Sequence, residues 1–240
     1  PGQDLIDESS AMVGLGRMFH ADTVEVVNDG TNGEAAVVRA TGGVGTLTLL
    51  SGSLESFGLI LDRKVEVTNE YTLEPDSWLL KMNTHVRWDD QSTLVQLADL
   101  AFVAADVADF YEPNFGYQTD EFQEEFGWTG IVGQCNEPAL AFLQGEADGV
   151  FRSAVLLDTL LDLGPLLMGP GPSVTLDEGD ELQWSRYLGV GPDMASVTGE
   201  WLERQGTAVE TIAGTVKAND QPVPGARVHV QDESGQVITM

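Results

Sequence analysis

Between Val65 and Trp88 the chain alternates apolar and polar residues with a period of two, broken once. Val65, Val67, Tyr71 and Leu73 form one set, and Glu66, Thr68, Glu70, Thr72 and Glu74 fall between them. An extended strand sends two such sets to opposite faces. After Pro75-Asp76-Ser77-Trp78 the parity reverses: Leu80, Met82, Val86 and Trp88 are apolar, while Lys81, Asn83, His85 and Arg87 are polar. An antiparallel hairpin reconciles the halves by pairing Leu73 with Leu80, Tyr71 with Met82, Val67 with Val86 and Val65 with Trp88. That register sets Glu66 opposite Arg87. A slip of one residue would turn every apolar side chain toward water, so the pattern itself predicts the pairing.

The same logic predicts strands over Thr23–Asn28 and Ala35–Ala40, joined through Asp29-Gly30 and Asn32-Gly33. Further strands are expected at Leu47–Leu50, Leu59–Leu61, Leu94–Val103, Gly130–Val132, Ala139–Leu143 and Leu182–Leu188. Residues 155–163 fit a short helix as well as a buried strand, with Gly164-Pro165 and Gly169–Pro172 as its stop. One helix is predicted over Pro192–Gln205, with Met194, Val197, Trp201 and Leu202 on one side and Gly206 ending it. Recurrent turn residues between short strands predict an all-β fold, a large antiparallel β-sandwich with one short helix. After Glu210 the composition changes. Gly214-Thr215-Val216 and Val228–Val230 read as two short strands around a tight loop, the start of a small β-sandwich module cut short at Met240. The division expected is 1–210 for the large domain and 211–240 for the module.

Composition narrows the classes of function. Hydrophobic residues make up 42% of 240, enough for one large core. No apolar run approaches the roughly 20 residues of a membrane span. The first residue is Pro1, and the chain is expected to be an excised fragment. Thirty-nine acidic against eleven basic residues give a net charge of −28. Nucleic-acid partners and anionic membranes, which call for clustered Lys and Arg, are therefore not expected. The acids are scattered, which favours a hydrated surface over a dedicated cation site. Cys135 is the single cysteine, so no internal disulfide forms, and a buried inert thiol is the expectation.

Candidate chemistry is sparse. His20, His85 and His229 are the only histidines, in no His-x-His or His-x-x-x-His spacing, and no metal or other cofactor is expected. The polar face of the hairpin gathers Glu66, Glu70, Lys81, Asn83, His85 and Arg87. Such planar donors and acceptors suit a sugar, and Glu66, Glu70, His85 and Arg87 are the acid/base groups if the face is catalytic. The simpler reading is an exposed face stabilised by cross-strand charge pairs. The segment Asp106–Trp128 interleaves acids with aromatics and is read as a long loop. Tyr111, Tyr117 and Trp128 are its stacking candidates for a ligand, against the plainer reading that they pack over a sheet edge. Gly42-Gly43-Val44-Gly45 has no following helix or phosphate-binding Lys and reads as a turn.

Two resemblances bear on these readings. Ile212-Ala213-Gly214-Thr215-Val216 with Pro222-Val223-Pro224-Gly225-Ala226-Arg227-Val228-His229-Val230 resembles the opening of a carboxypeptidase regulatory-like module, a small prealbumin-like β-sandwich frequent in bacterial surface proteins. Val24–Gly30, Glu70–Ser77 and Arg186–Gly191 resemble the β-rich amino-terminal region of bacterial multidomain proteins that carry a metallohydrolase of the polymerase-and-histidinol-phosphatase type. The middle stretch also looks like the supersandwich of galactose mutarotase-like domains. The hydrolase's histidine motifs have no counterpart here, so its activity does not carry over. The resemblance implies an extracytoplasmic location (secreted, periplasmic or cell-surface) and further domains of the same polypeptide as partners. The expectation is a non-catalytic accessory domain that holds or presents a catalytic one, with carbohydrate or peptide as ligand. The alternative is a sugar-acting enzyme of mutarotase, epimerase or polysaccharide-lyase type.

Overall fold

The computed structural model describes residues 6–13, 17–46, 64–95, 97–104, 108–112, 116–118, 127–133, 138–145, 152–155, 163–169, 174–235 and 237–240. The predicted strands at 47–50 and 59–61, and Cys135, lie outside them. Strands β1 (Ile6–Val13), β2 (Arg17–Asp29), β3 (Ala36–Thr46), β4 (Val65–Leu73) and β5 (Leu79–Trp88) come first. Then follow β6 (Thr93–Val95), β7 (Leu97–Ala104), β8 (Ala108–Glu112), β9 (Gly116–Gln118), β10 (Trp128–Gly133) and β11 (Ala139–Gln144). β12 (Arg152–Val155), β13 (Leu163–Gly169), β14 (Val174–Leu176) and β15 (Glu181–Gly191) precede helix α1 (Met194–Arg204). The short strands β16 (Lys217–Ala218), β17 (Gln221–Pro222), β18 (Val230–Gln231) and β19 (Val237–Thr239) follow it.

The described residues are all-β apart from α1 and a single 3-10 turn at Thr31–Gly33. Nine strands form one antiparallel sheet in the order β2-β3-β4-β5-β15-β11-β10-β8-β9, and a second sheet runs β1-β7-β13-β12. β1 approaches β2, β3 and β5 of the large sheet. The β4–β5 register is the one the alternation predicts: Val65 with Trp88, Val67 with Val86, Tyr71 with Met82, Leu73 with Leu80, and Glu66 with Arg87. β15 then adds Leu182, Trp184 and Arg186 opposite Val86, Thr84 and Met82. On this inner face Val65, Val67, Val86, Trp88 and Trp184 form a core closed by Leu176 of β14. Val67, Val86 and Trp88 are wholly buried, each stabilising the fold by about 1.5–3 kcal/mol relative to exposure.

The opposite, outer face is divided. Over β5, β15 and β11 it is covered by α1, whose Met194 and Val197 pack on Leu79, Tyr187, Leu143, Ala139 and Ala141. The helix lies close because Gly189 stands beneath it: a Cβ there would overlap Val197 Cγ1 and sit 3.1 Å from Leu79. Asp193 caps its N-terminus, accepting from the Ser196 N–H at 2.7 Å. At the other end Gly206, at φ 79°, allows two return bonds. Its N–H donates to the Glu203 carbonyl, and Thr207 N–H donates to that of Leu202, both at 2.9 Å. β19 joins the same layer, with Val237 buried in it and the Ala195 N–H donating to the Met240 carbonyl at 2.7 Å.

Four expectations change. Gly42–Gly45 is not a turn but part of β3, and Gly42 sits where β2 bulges between Ala21 and Thr23 so closely that a Cβ would meet the Asp22 N at 2.8 Å. Gly164-Pro165 does not end its segment, because β13 runs through it. Within it Pro165 stands opposite Phe102 of β7, and the described β12 ladder begins at Leu166. The 155–163 segment has β-strand at both of its ends, Val155 closing β12 and Leu163 opening β13, while 156–162 lie outside the described residues. Asp106–Trp128 is not one long loop: β8 and β9 lie within it and pair as a hairpin at the sheet's far side. In the tail, β16–β17 and β18–β19 form two separate small ladders in place of one pair around a loop.

Candidate functional site

The open half of the outer face is a polar plate on five strands, and the ladders set its side chains in rows. One row runs Thr23, Thr41, Thr68, His85 and Gln183, from β2 to β15. A second runs Glu25, Arg39, Glu70, Asn83 and Ser185. A third holds Glu66, Arg87 and Glu181, and a fourth passes Thr72, Lys81 and Tyr187 toward the helix. Strand spacing makes the plate about 19 Å across from β2 to β15.

Several of the plate's polar groups are paired. Arg39 donates to Glu70 Oε2 through Nε at 3.2 Å and a terminal nitrogen at 2.8 Å. The hydrogen bond that Arg39 donates to Glu70, with that carboxylate's negative charge, raises the guanidinium pKa above its ordinary value. The Thr41 and Thr68 hydroxyls meet at 3.3 Å. His85 Nε2 lies 3.3 Å from Glu181 Oε2, with side chains 41% and 59% exposed. Arg87 donates from Nε to Asp89 at 3.1 Å, although its cross-strand neighbour is Glu66. Lys81 reaches over the Tyr187 ring, 6.0 Å from its centroid. Arg204 of α1 stands 5.8 Å from that ring, so Tyr187 is buried beside two cations.

The aromatic candidates lie elsewhere. Tyr111 is wholly buried and Trp128 nearly so. They stack at 5.7 Å with 16° between planes, and His229 of the tail stacks on Tyr111 at 5.8 Å and 18°. These rings are committed to one another under the tail, away from the His85 rows. Tyr117 pairs with Tyr111 across β8–β9. His20, on β2, is 3.7 Å from Asp22. Among the described residues no group of three His, Cys, Asp or Glu is placed to hold a metal ion.

Sequence reasoning missed three sets of residues. Arg39 and Thr41 enter through the β3–β4 pairing, and Glu181, Gln183 and Ser185 through β15. Both pairings join strands distant in sequence and carry no local signal. The third set is on the inner face. Asn69 and Thr84 occupy the apolar phase of β4 and β5 and face each other, a sign legible in the alternation. Thr84 donates to Asn69 Oδ1 at 2.6 Å. The wholly buried Arg186 donates to Thr84 Oγ1 at 2.5 Å and to the Met82 carbonyl at 3.3 Å. This buried polar cluster cross-links three strands through the core.

A last network seats the helix. Glu200 of α1 accepts from Ser77 Oγ at 2.6 Å and from the Trp78 N–H at 2.8 Å, both in the β4–β5 turn. Arg204 donates to the same carboxylate at 2.9 and 3.2 Å. Partial burial opposes ionisation of Glu200. The bonds from Ser77, Trp78 and Arg204, with the charge of Arg204, outweigh it and hold the carboxyl below the ordinary glutamate value.

No protein-family profile matches the chain, and no curated protein matches it. Solved structures are similar in fold. A TPR-domain containing protein from Parabacteroides distasonis is 10% identical at TM-score 0.48, over 84% of this chain and 38% of that one. A candidate aldose 1-epimerase from Klebsiella pneumoniae is 12% identical at TM-score 0.49, over 87% of this chain and 63% of that one. A galactose mutarotase-like protein from Lactobacillus casei is 11% identical at TM-score 0.42, over 72% of this chain and 74% of that one. The chain spans 38% and 63% of the length of the first two, and what it shares with all three is fold alone.

Proposed function

We propose that this chain is a non-catalytic β-domain of a larger extracytoplasmic bacterial protein. Its work is to hold or present a catalytic domain of the same polypeptide, with the polar plate as a shallow platform for carbohydrate or peptide. The observation that carries this reading is the pairing on the plate. Arg39 with Glu70, His85 with Glu181 and Arg87 with Asp89 satisfy one another on an open sheet face. Reactive groups in enzymes converge instead on a substrate within a water-excluding cleft. The galactose mutarotase-like supersandwich and the start of a carboxypeptidase regulatory-like module in 211–240 belong to this proposal, as does the extracytoplasmic location. They rest on the resemblances of Glu70–Ser77 and of Ile212–Val230.

One observation favours the second reading, a sugar-acting enzyme of epimerase type: an imidazole and a carboxylate, His85 and Glu181, stand 3.3 Å apart on the plate, the pairing that general acid–base chemistry uses. A glycan array followed by saturation-transfer NMR tests the platform. Binding of a glycan or peptide that Asn83→Ala and Gln183→Ala weaken supports it, and binding that ignores both changes removes the plate from the account.

A further inference from the structure

Strand β2 is the outermost strand of the nine-stranded sheet, and among the described residues its one ladder is with β3. Such a strand presents N–H and C=O groups along its other side, and proteins normally blunt that edge with charged or proline residues. Here Val24, Val26 and Val27 are 68%, 64% and 46% exposed. Val24 stands beside Ala40 and Val26 beside Val38, so both lie on the apolar phase of the sheet, while Thr23 and Glu25 stand on the plate side. The ladder is regular from Thr23 to Val26. Bulges between Ala21 and Thr23 and between Val26 and Asn28 bound that stretch, leaving about 13 Å of straight edge.

Charge selects the occupant. Asp22, Glu25, Asp29 and Glu34 are all exposed around this edge. Of the basic groups beside them, Arg39 is bound to Glu70 and His20 lies against Asp22. A second copy of a chain with net charge −28 would bring Asp22 and Glu25 against their own counterparts. An extended segment alternating apolar with Lys or Arg side chains has the complementary pattern.

We propose that the Thr23–Val26 edge of β2 docks an extended cationic peptide segment by strand addition. Main-chain bonds give the register, two apolar side chains lie beside Val24 and Val26, and a basic one lies beside Glu25. The test is fluorescence anisotropy of the full chain with an end-capped seven-residue peptide of alternating lysine and valine. The control peptide carries the same charge with proline in place of valine, and so cannot pair as a strand. The lysine–valine peptide is expected to bind about tenfold more tightly than the control, and Glu25→Lys or Val26→Lys to abolish most of that difference. Val24→Thr keeps a β-branched side chain, and its weaker binding at an unchanged melting temperature separates docking from folding. Equal binding of the two peptides, or variants that bind as the parent does, overturns the proposal and leaves only counterion attraction. A dimer seen by light scattering and lost in Val26→Lys also overturns it, giving the edge to a second copy.

Discussion

Replacing Glu200 with Ala removes the group that fastens helix α1 to the β4–β5 turn. Its carboxylate accepts from Ser77, from the Trp78 N–H and from Arg204, all within 2.6–3.2 Å. A hydrogen bond to a charged group contributes about 1.5–3 kcal/mol when the partners are left stranded. The donors here are not stranded: Trp78 is 48% exposed, and Arg204 keeps 28% of its side chain in water. Water therefore replaces part of what is lost, and the net cost is about 2 kcal/mol. For a chain of this size that corresponds to a fall in melting temperature of about 4–8 °C. The dependence on pH is the sharper test. The Glu200 carboxyl is held below the ordinary glutamate value, so ionisation stabilises the fold. That contribution is full at neutral pH, above the unfolded-state value, and disappears as pH falls through the lower folded-state value. Thermal melts followed by circular dichroism should show parent and Glu200→Ala well separated near pH 7 and drawing together as pH falls below the ordinary glutamate range. Variants that melt together at pH 7, or a gap of constant size as pH falls, would refute the reasoning.

Thr84→Val preserves shape but strips the hydroxyl from the buried Asn69–Thr84–Arg186 cluster. It should cost about 2–4 kcal/mol, read as a lower urea midpoint with an unchanged slope. Gly189→Ala pushes a methyl group against Val197 and Leu79 under the helix and should cost about 1–3 kcal/mol; adding Val197→Ala should recover part of the loss in the same urea titration. His85→Ala breaks only an exposed pair with Glu181 and should move the melting temperature by no more than about 1 °C.

How far this architecture could be read from residue order depends on the range of each interaction. The β4–β5 hairpin was legible to the single residue, because its inner face is buried and a slip would expose Val67, Val86 and Trp88 together. Helix α1 was legible because Pro192 at its start, the spacing of Met194, Val197, Trp201 and Leu202, and Gly206 at its end are local signals. The neighbours of that hairpin were not. β15 was recognisable as a strand, yet nothing in Leu182–Leu188 says that it lies against β5, so its contribution to the polar plate, Glu181, Gln183, Ser185 and Tyr187, went unseen. Local turn chemistry misled where tertiary contact overrode it: Gly42 serves a bulge, and Pro165 lies inside β13 opposite Phe102 of β7. The aromatics of 106–128 read as a ligand platform or, more plainly, as packing over a sheet edge. Tyr111 and Trp128 are buried and stacked because β8 and β10 pair and the tail closes over them, two long-range events with no local mark.

The central claim is that the plate around His85 is not a catalytic centre. The direct measurement is exchange NMR of α/β anomer interconversion in galactose and glucose, with the full chain at high concentration and a buffer blank. The account predicts interconversion at the blank rate for the parent chain and for His85→Ala alike. Acceleration by the parent that disappears in both His85→Ala and Glu181→Gln would contradict it and make the plate an active site.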